Sequence, residues 1–386
     1  MLLITCIYNN FIIHKDIHMK NTTYDVLIIG GGPAGLATAY LCHKHGLSYL
    51  VLESGKAIFQ GIANTYPEGK LVYASKPKDA PMPFMVDELR PPDKPVTVES
   101  YLQYVQHFVQ HENLHVQTEV DFEDIKDERD GLTVITSKGS FKGKKVVLSF
   151  GSNIPRELSV YGDAKMVAKN VDDPSNYIGI KTLIIGGGNT AADVIINILK
   201  AKREAEDTHP VYWAHKAETF DVNKETAQRL GEEILLGGNL RLFPGATPRI
   251  GEVDDEGVDR LVIRINEFKQ ADGIDLYHAL SFPMKNVIAC IGSQGPVPIF
   301  DKLNIQSIAC TAGVCKIAKE GERLVLLSSD FESTRKGVYV IGGAISPSYM
   351  RISEGSIAEE RHPNLIYTAI NDAYYVVEAI RAKLGH

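Results

Sequence analysis

No stretch of this 386-residue chain stays apolar for the ~20 residues that a membrane-crossing helix needs, so no membrane partner is expected. Nor is there a surplus of positive charge: 41 Lys and Arg stand against 48 Asp and Glu, for a net charge of −7. Nucleic acids and anionic membranes both reward a basic surface, so neither is an expected partner. Cysteine is scarce, five in number and scattered as Cys6, Cys42, Cys290, Cys310 and Cys315. That usage argues against a disulfide scaffold and for a reducing, cytoplasmic setting. No two cysteines are spaced Cys-x-x-Cys. Leu2 to Cys6 is apolar but reads poorly as a secretory signal, since no basic region precedes it and no small-residue cleavage site follows. Residues 1–20 are therefore expected to be a disordered or misassigned extension, with Met19 as the true start.

What the chain does have is glycine in two ordered turns. The first is Gly30-Gly31-Gly32-Pro33-Ala34-Gly35, after the apolar run Tyr24 to Ile29. The second, 156 residues on, is Gly186-Gly187-Gly188-Asn189-Thr190-Ala191, after Ile184-Ile185. Each apolar run has the length of a buried parallel strand, and each turn leads into a segment with helical periodicity, 33–44 and 190–203. Strands at 48–52 and 211–214 complete two βαβ units. Further strands are expected at 116–120, 132–137, 143–150, 261–266, 275–282, 286–291 and 338–341, with helices at 99–111 and 364–384. The length favours two domains. The parse is α/β, with two Rossmann-like three-layer domains, the second inserted in the first. Residues 21–157 and 297–386 form the enclosing domain and 158–296 the insert.

The chemistry of each turn follows from residue type. Gly30 permits the tight strand-to-helix turn, Gly32 lets a pyrophosphate approach the backbone, and Gly35 lets helix and strand pack closely. The helix that Pro33 opens offers its free N–H groups, from Ala34 onward, to that pyrophosphate. Glu53, eighteen residues after Gly35, is placed to accept from an adenosine ribose. In the second turn Gly186, Gly188 and Ala191 take the same roles, with Asn189 and Thr190 at the helix start. No acid closes its second strand; His215-Lys216 stands there instead, which suits a 2′-phosphate and favours NADPH, with NADH left open.

Two such units in this order, with Phe150-Gly151, Ala289-Cys290-Ile291-Gly292 and Gly337-Val338-Tyr339-Val340-Ile341-Gly342, resemble the two-dinucleotide-binding flavoproteins of the pyridine nucleotide-disulfide oxidoreductase superfamily. The chain looks most like the thioredoxin-reductase-like branch, near its bacillithiol-disulfide-reductase-like and ferredoxin–NADP-reductase-like members. The resemblance spans about residues 24–384. It implies FAD in the enclosing domain, against Gly30, Gly32, Pro33, Ala34, Gly35, Glu53, Tyr66, Val120, Gly151, Gly342, Gly343 and Ile366. It implies the nicotinamide nucleotide in the insert, against Gly186, Gly188, Asn189, Thr190, Ala191, His215, Lys216 and Gly292. The segment around Asn64-Thr65-Tyr66-Pro67 resembles one that lies along the flavin ring in those members, and Tyr66 is a candidate to stack there.

The departures matter too. The branch's Cys-x-x-Cys is missing, Ala34 stands where bacillithiol-disulfide-reductase-like proteins carry Cys, and Gly343 replaces an Asp. Cys310 and Cys315 are expected to be ordinary thiols. His362, at the start of the last helix, is a candidate proton donor. The expected activity is FAD-dependent oxidation of NADPH with direct electron transfer to a carrier protein or small molecule. Thiol–disulfide reduction and a non-catalytic flavin sensor are the alternatives. No metal is implied, and a homodimer is expected from the resemblance.

Overall fold

The computed structural model describes residues 22–72, 94–152, 154–155, 173–253, 259–269, 275–309, 323–353 and 355–386, with positions 89, 92 and 171 besides. The expected extension, residues 1–20, lies outside them, as do Cys310 and Cys315. The chain is an α/β protein with Rossmann-like parallel sheets, and it divides into two compact units. One comprises the chain up to Asn64 together with Leu71–Ile154 and Ser293–His386. The other comprises Pro155–Gly292 and a short excursion, Thr65–Lys70.

In the enclosing unit, strand Thr23–Ile29 pairs in parallel with Tyr49–Leu52 on one side and Gly139–Leu148 on the other. Helix Pro33–Lys44 connects the first two. Val26 to Ile29 and all of Tyr49–Leu52 are buried, as expected of strands covered on both faces. Gly139–Leu148 is long enough to serve two purposes. Its first half joins the antiparallel meander Phe122–Glu128 and Gly131–Thr136, while its second half also receives Val338–Val340 in parallel. Helix Val98–His111 starts at Thr97, whose hydroxyl accepts from the Ser100 N–H. Helix Ile366–Leu384 ends at Gly385, in the left-handed conformation.

The inserted unit is built on four parallel strands in the order Leu240–Phe243, Val211–Ala214, Thr182–Ile185, Val287–Ala289. Alternation along them makes two cores. Ile184, Trp213 and Ile288 face helix Asn189–Glu204 and pack with Val194, Ile195 and Ile198. Leu183, Ile185, Tyr212 and Ala214 face the other way, onto Leu261, Phe282 and Met284. The last three belong to, or follow, the antiparallel sheet Thr247–Val253, Asp259–Lys269, Asp275–Pro283.

Several elements go beyond the sequence expectations, a helix and a hairpin among them. Helix Lys224–Leu235 is capped by Asn223, whose side chain accepts from the Thr226 N–H. The hairpin Ser348–Ser353 with Ser356–Arg361 extends a sheet of Ser307–Ala309 and Arg323–Ser328. It occupies the stretch between the last parallel strand and the terminal helix. The strand expected at 116–120 is shorter, Val116–Gln117, because the chain leaves the sheet to run back past Glu53.

Candidate functional site

Both glycine turns have the backbone geometry that their spacing demands. Gly30 sits at φ +105, and a Cβ there would lie 2.5 Å from the Ser149 carbonyl oxygen. A Cβ on Gly35 would lie 1.9 Å from the Gly30 carbonyl oxygen, so helix and turn touch only because both residues lack side chains. Gly32 is different: no atom lies within 4 Å of its Cβ position. It is also the N-cap of helix Pro33–Lys44, and no side chain caps that end. The second turn repeats this pattern. A Cβ on Gly186, at φ +130, would lie 2.1 Å from the Cys290 carbonyl oxygen, whereas Gly188 is open and caps helix Asn189–Glu204 without a side-chain partner. Two uncapped helix starts, each with one open glycine, fit two pyrophosphates.

Around the first turn the enclosing unit assembles most of the expected residues. Glu53 is 8% exposed, and its carboxylate accepts from the N–H groups of Gly31 (2.5 Å) and Gly55 (2.7 Å). Its own N–H bonds to Gln117, and its carbonyl oxygen accepts from the Val120 N–H, which places the buried Val120 beside it. Ser149 donates its hydroxyl to the carbonyls of Ile29 and Gly30 and so braces the turn. Gly342, at φ +70, presses on Ala34, and Gly343 lies against Ser152, next to Gly151. The Ser152 hydroxyl accepts from Asn364, just before the terminal helix whose first residue is Ile366. On that helix the Thr368 hydroxyl and the Asn371 side-chain oxygen are buried without a hydrogen-bond partner.

His362 is buried rather than presented. One ring nitrogen lies 2.9 Å from the Ser346 hydroxyl and the other 3.0 Å from Asp372. Tyr66 groups with the inserted unit, not with the first turn. Its ring lies under the Lys70 ammonium at 5.1 Å, and burial together with Asp193 raises its phenol above the usual range.

Around the second turn the loop after Val211–Ala214 folds back over the glycines. The His215 ring covers Gly187, where a Cβ would lie 2.4 Å away. Trp213 donates its indole N–H to the Gly186 carbonyl, and the Asp221 N–H donates to Gly187. The Asn189 side-chain Oδ1 accepts from the Asn223 N–H. Burial, and then the neighbouring Lys216, push the His215 imidazole below its ordinary value, so the exposed Lys216 is the cation of this pair at neutral pH. Gly292, at φ +84, lies two residues beyond Cys290, whose N–H donates to Ile185.

One group of residues was missed by sequence reasoning. Asp193, 2% exposed and four residues after Asn189 on the same helix face, pairs with Lys70 at 2.6 Å and Arg229 at 3.4 Å. Two cations on one buried acid offset its desolvation and leave a positive surplus beside the second helix start. Nothing local at Lys70 could signal this. Asp372 did leave a signal, as a charged residue among the apolar positions Ala369, Ile370, Ala373 and Val376 of the last helix.

Comparison with known proteins agrees with this geometry. The model of the pyridine nucleotide-disulphide oxidoreductase family matches residues 27–235, more than half of the chain. The chain belongs to this family. Membership makes it a flavin-dependent oxidoreductase of pyridine nucleotides, with FAD and NADPH as cofactors. Among its relatives is a ferredoxin–NADP reductase of Streptococcus agalactiae, 25% identical over 366 residues that cover 92% of this chain and 96% of the relative. Another, from Limosilactobacillus reuteri, is 23% identical and covers 85% and 87%. In fold, the chain is similar to the bacillithiol disulfide reductase of Staphylococcus aureus, with a TM-score of 0.67 at 17% identity, covering 94% of this chain and 99% of that one. The thioredoxin reductase of T. acidophilum follows at 0.62 and 16%, with the same coverage. Among the described residues no helix is long and apolar enough to cross a membrane, and no cluster of residues forms a metal site.

Proposed function

We propose that this family member holds FAD at Gly30–Gly35 and NADPH at Gly186–Ala191, and that its electrons leave directly for an acceptor rather than through a protein dithiol. The acceptor is a carrier of ferredoxin or flavodoxin type or a small oxidant. When bound, FAD supplies hydride acceptance from the nicotinamide and onward electron transfer. The residues of the chain do the rest. Glu53, with Gly31 pinned to it, receives the ribose of the first dinucleotide; the open faces of Gly32 and Gly188 admit the pyrophosphates; Lys216 reads the 2′-phosphate.

The observation that carries the acceptor is the state of Cys42 and Cys290, the two thiols among the described residues. Burial pushes the Cys290 thiol up to about 12 and the fully buried Cys42 thiol higher still. A thiol held protonated is a poor nucleophile at neutral pH. The ferredoxin–NADP reductases among the relatives support the same reading. A cytoplasmic homodimer is the setting we assign, from the few scattered cysteines and the family resemblance.

The test is an anaerobic titration of the purified protein with NADPH, followed by turnover with ferredoxin, flavodoxin, a quinone and a disulfide as acceptors, before and after alkylation of the thiols. Bleaching of the flavin by NADPH, with carrier or quinone reduction that survives alkylation, is the expected result. Turnover that needs a disulfide acceptor and is abolished by alkylation would assign the chain to thiol–disulfide reduction instead.

A further inference from the structure

The enclosing unit contains a buried hydrogen-bond chain that the glycine turns do not explain. Asp372, on helix Ile366–Leu384, is 3% exposed, and its carboxylate accepts from the Gly342 N–H at 2.8 Å. The same carboxylate lies 3.0 and 3.1 Å from His362 Nε2. His362, 4% exposed, has its other ring nitrogen 2.9 Å from the hydroxyl of Ser346, itself 6% exposed. If Nε2–H donates to Asp372, Nδ1 accepts from the Ser346 hydroxyl, and every polar atom of the chain is satisfied. The His362 backbone is fixed as well, since its N–H donates to the Pro347 carbonyl. Phe331 and Tyr349 stand edge-on to the imidazole at 6.5 and 6.2 Å.

Serine, histidine and a carboxylate in sequence resemble a nucleophilic triad, but Ser346 is sealed from any substrate. The chain leads elsewhere. Its far end is the backbone N–H of Gly342, and a Cβ at Gly342 would lie 2.9 Å from the Ala34 side chain, at the start of the helix after the first glycine turn. Gly342 and Gly343 have no side chains with which to hold themselves in place. A buried carboxylate is costly unless it is paired and hydrogen-bonded. This one spends its bonds on a glycine N–H and on a histidine whose second nitrogen is also tied down.

We propose that Ser346, His362 and Asp372 are positioning residues for the first dinucleotide: they lock the Gly342–Gly343 turn against Ala34 and fix a negative charge behind it. The inference rests on the assignment of FAD to Gly30–Gly35. It makes His362 a positioning residue that does not itself donate a proton to substrate.

The experiment uses the full-length protein purified with its flavin. D372N keeps the shape and removes the charge, H362A removes the middle link, H362Q replaces it with an amide that can still donate to Asp372, and S346A trims only the far end. For each variant, FAD affinity is measured by fluorescence and the flavin midpoint potential by equilibration with redox dyes, with thermal melting as the check on folding. D372N is expected to weaken FAD binding by roughly tenfold, as for loss of a hydrogen bond to a charged group, and to raise the midpoint potential because a negative charge is gone. H362A should follow it in part, H362Q should recover most of the loss, and S346A, at the end opposite Gly342, should change least. Variants that melt differently but keep the wild-type affinity and potential would overturn the proposal by showing a purely structural chain. If D372N does not fold, H362A decides in the same way, with H362Q as its rescue. Wild-type protein that binds no FAD would instead bring down the assignment of the first turn, and the inference with it.

Discussion

The two glycine turns share a backbone and differ in everything that touches it. In each, one glycine is pressed against a carbonyl of the neighbouring strand, Gly30 on Ser149 and Gly186 on Cys290, and one glycine faces open space, Gly32 and Gly188. The first turn is then held by an acid, with the Gly31 N–H on Glu53. The second is held by a ring and a returning loop, with His215 over Gly187 and Asp221 and Asn223 bonded to Gly187 and Asn189. The shared part suits a pyrophosphate, and under the proposed assignment the divergent part selects the nucleotide. A carboxylate closing the strand accepts from ribose hydroxyls, whereas a strand that closes on His215-Lys216 suits a phosphate in their place.

The largest expected effect separates the pressed glycines from the open ones. Gly35→Ala would drive a Cβ to 1.9 Å from the Gly30 carbonyl oxygen, backbone against backbone, with no flexible atom to give way. A loss on the order of 3–5 kcal/mol is expected, seen as a collapse of the melting transition. Gly32→Ala meets nothing and should melt like the wild type, yet bind FAD more weakly because the new methyl stands where the pyrophosphate passes. Gly32→Ala with unchanged FAD affinity would show that the open face is not the phosphate face.

Next in size is the acid that distinguishes the two turns. Glu53→Gln keeps the volume but loses charge-assisted bonds to Gly31 and Gly55. A cost of about 1–3 kcal/mol is expected, with FAD affinity reduced about tenfold or more and NADPH affinity untouched. Equal losses at both sites would mean that Glu53 supports the whole fold rather than the first turn alone.

How much of this contrast could be read in advance depended on how local its cause is. The turns were legible because a glycine at φ +105 or +130 is a demand of four or five residues and leaves its mark in their spacing. The place of Glu53 beside the first turn was legible because a strand end lies at a fixed distance from the turn that precedes it. The partners of the turns were not. Lys70 and Asp193 meet across 123 positions, and the Ser346–His362–Asp372 chain joins a turn, a loop and a helix that only the finished fold brings together. The segment Thr65–Lys70, with Tyr66, groups with the inserted unit although it lies in the sequence of the enclosing one, which no local pattern encodes. Helix Lys224–Leu235 carried a cap signal in Asn223, masked by Gly231 in its interior. The hairpin Ser348–Arg361 lacked the usual alternation because its paired Ile352 and Ile357 face solvent.

Smaller, and specific to the second turn, is the reading of the 2′-phosphate. Lys216→Ala removes the exposed cation and should raise KM for NADPH roughly tenfold, the worth of one charge-assisted bond, while KM for NADH and kcat stay near wild type. An equal rise for both nucleotides would move Lys216 from the ribose end to a general role in binding.

The smallest effect is also the sharpest probe of how the second turn is covered. Burial and Lys216 both disfavour the His215 imidazolium, so its folded-state pKa lies below the unfolded value of about 6.5. The unfolded chain then binds the proton more readily than the folded one. The stability that His215 contributes is complete above pH 6.5 and is lost as pH falls from there through the lower folded value. Melting temperatures between pH 8 and 5.5 should therefore decline more steeply for the wild type than for His215→Gln, which cannot titrate. At pH 7.5 the same variant should change KM for NADPH far less than Lys216→Ala does, since the ring is already neutral there. Parallel melting profiles would mean that the ring is as well solvated in the folded protein as in the unfolded chain. The second turn would then lack its cover, and the contrast with the acid-held first turn would rest on Lys216 alone.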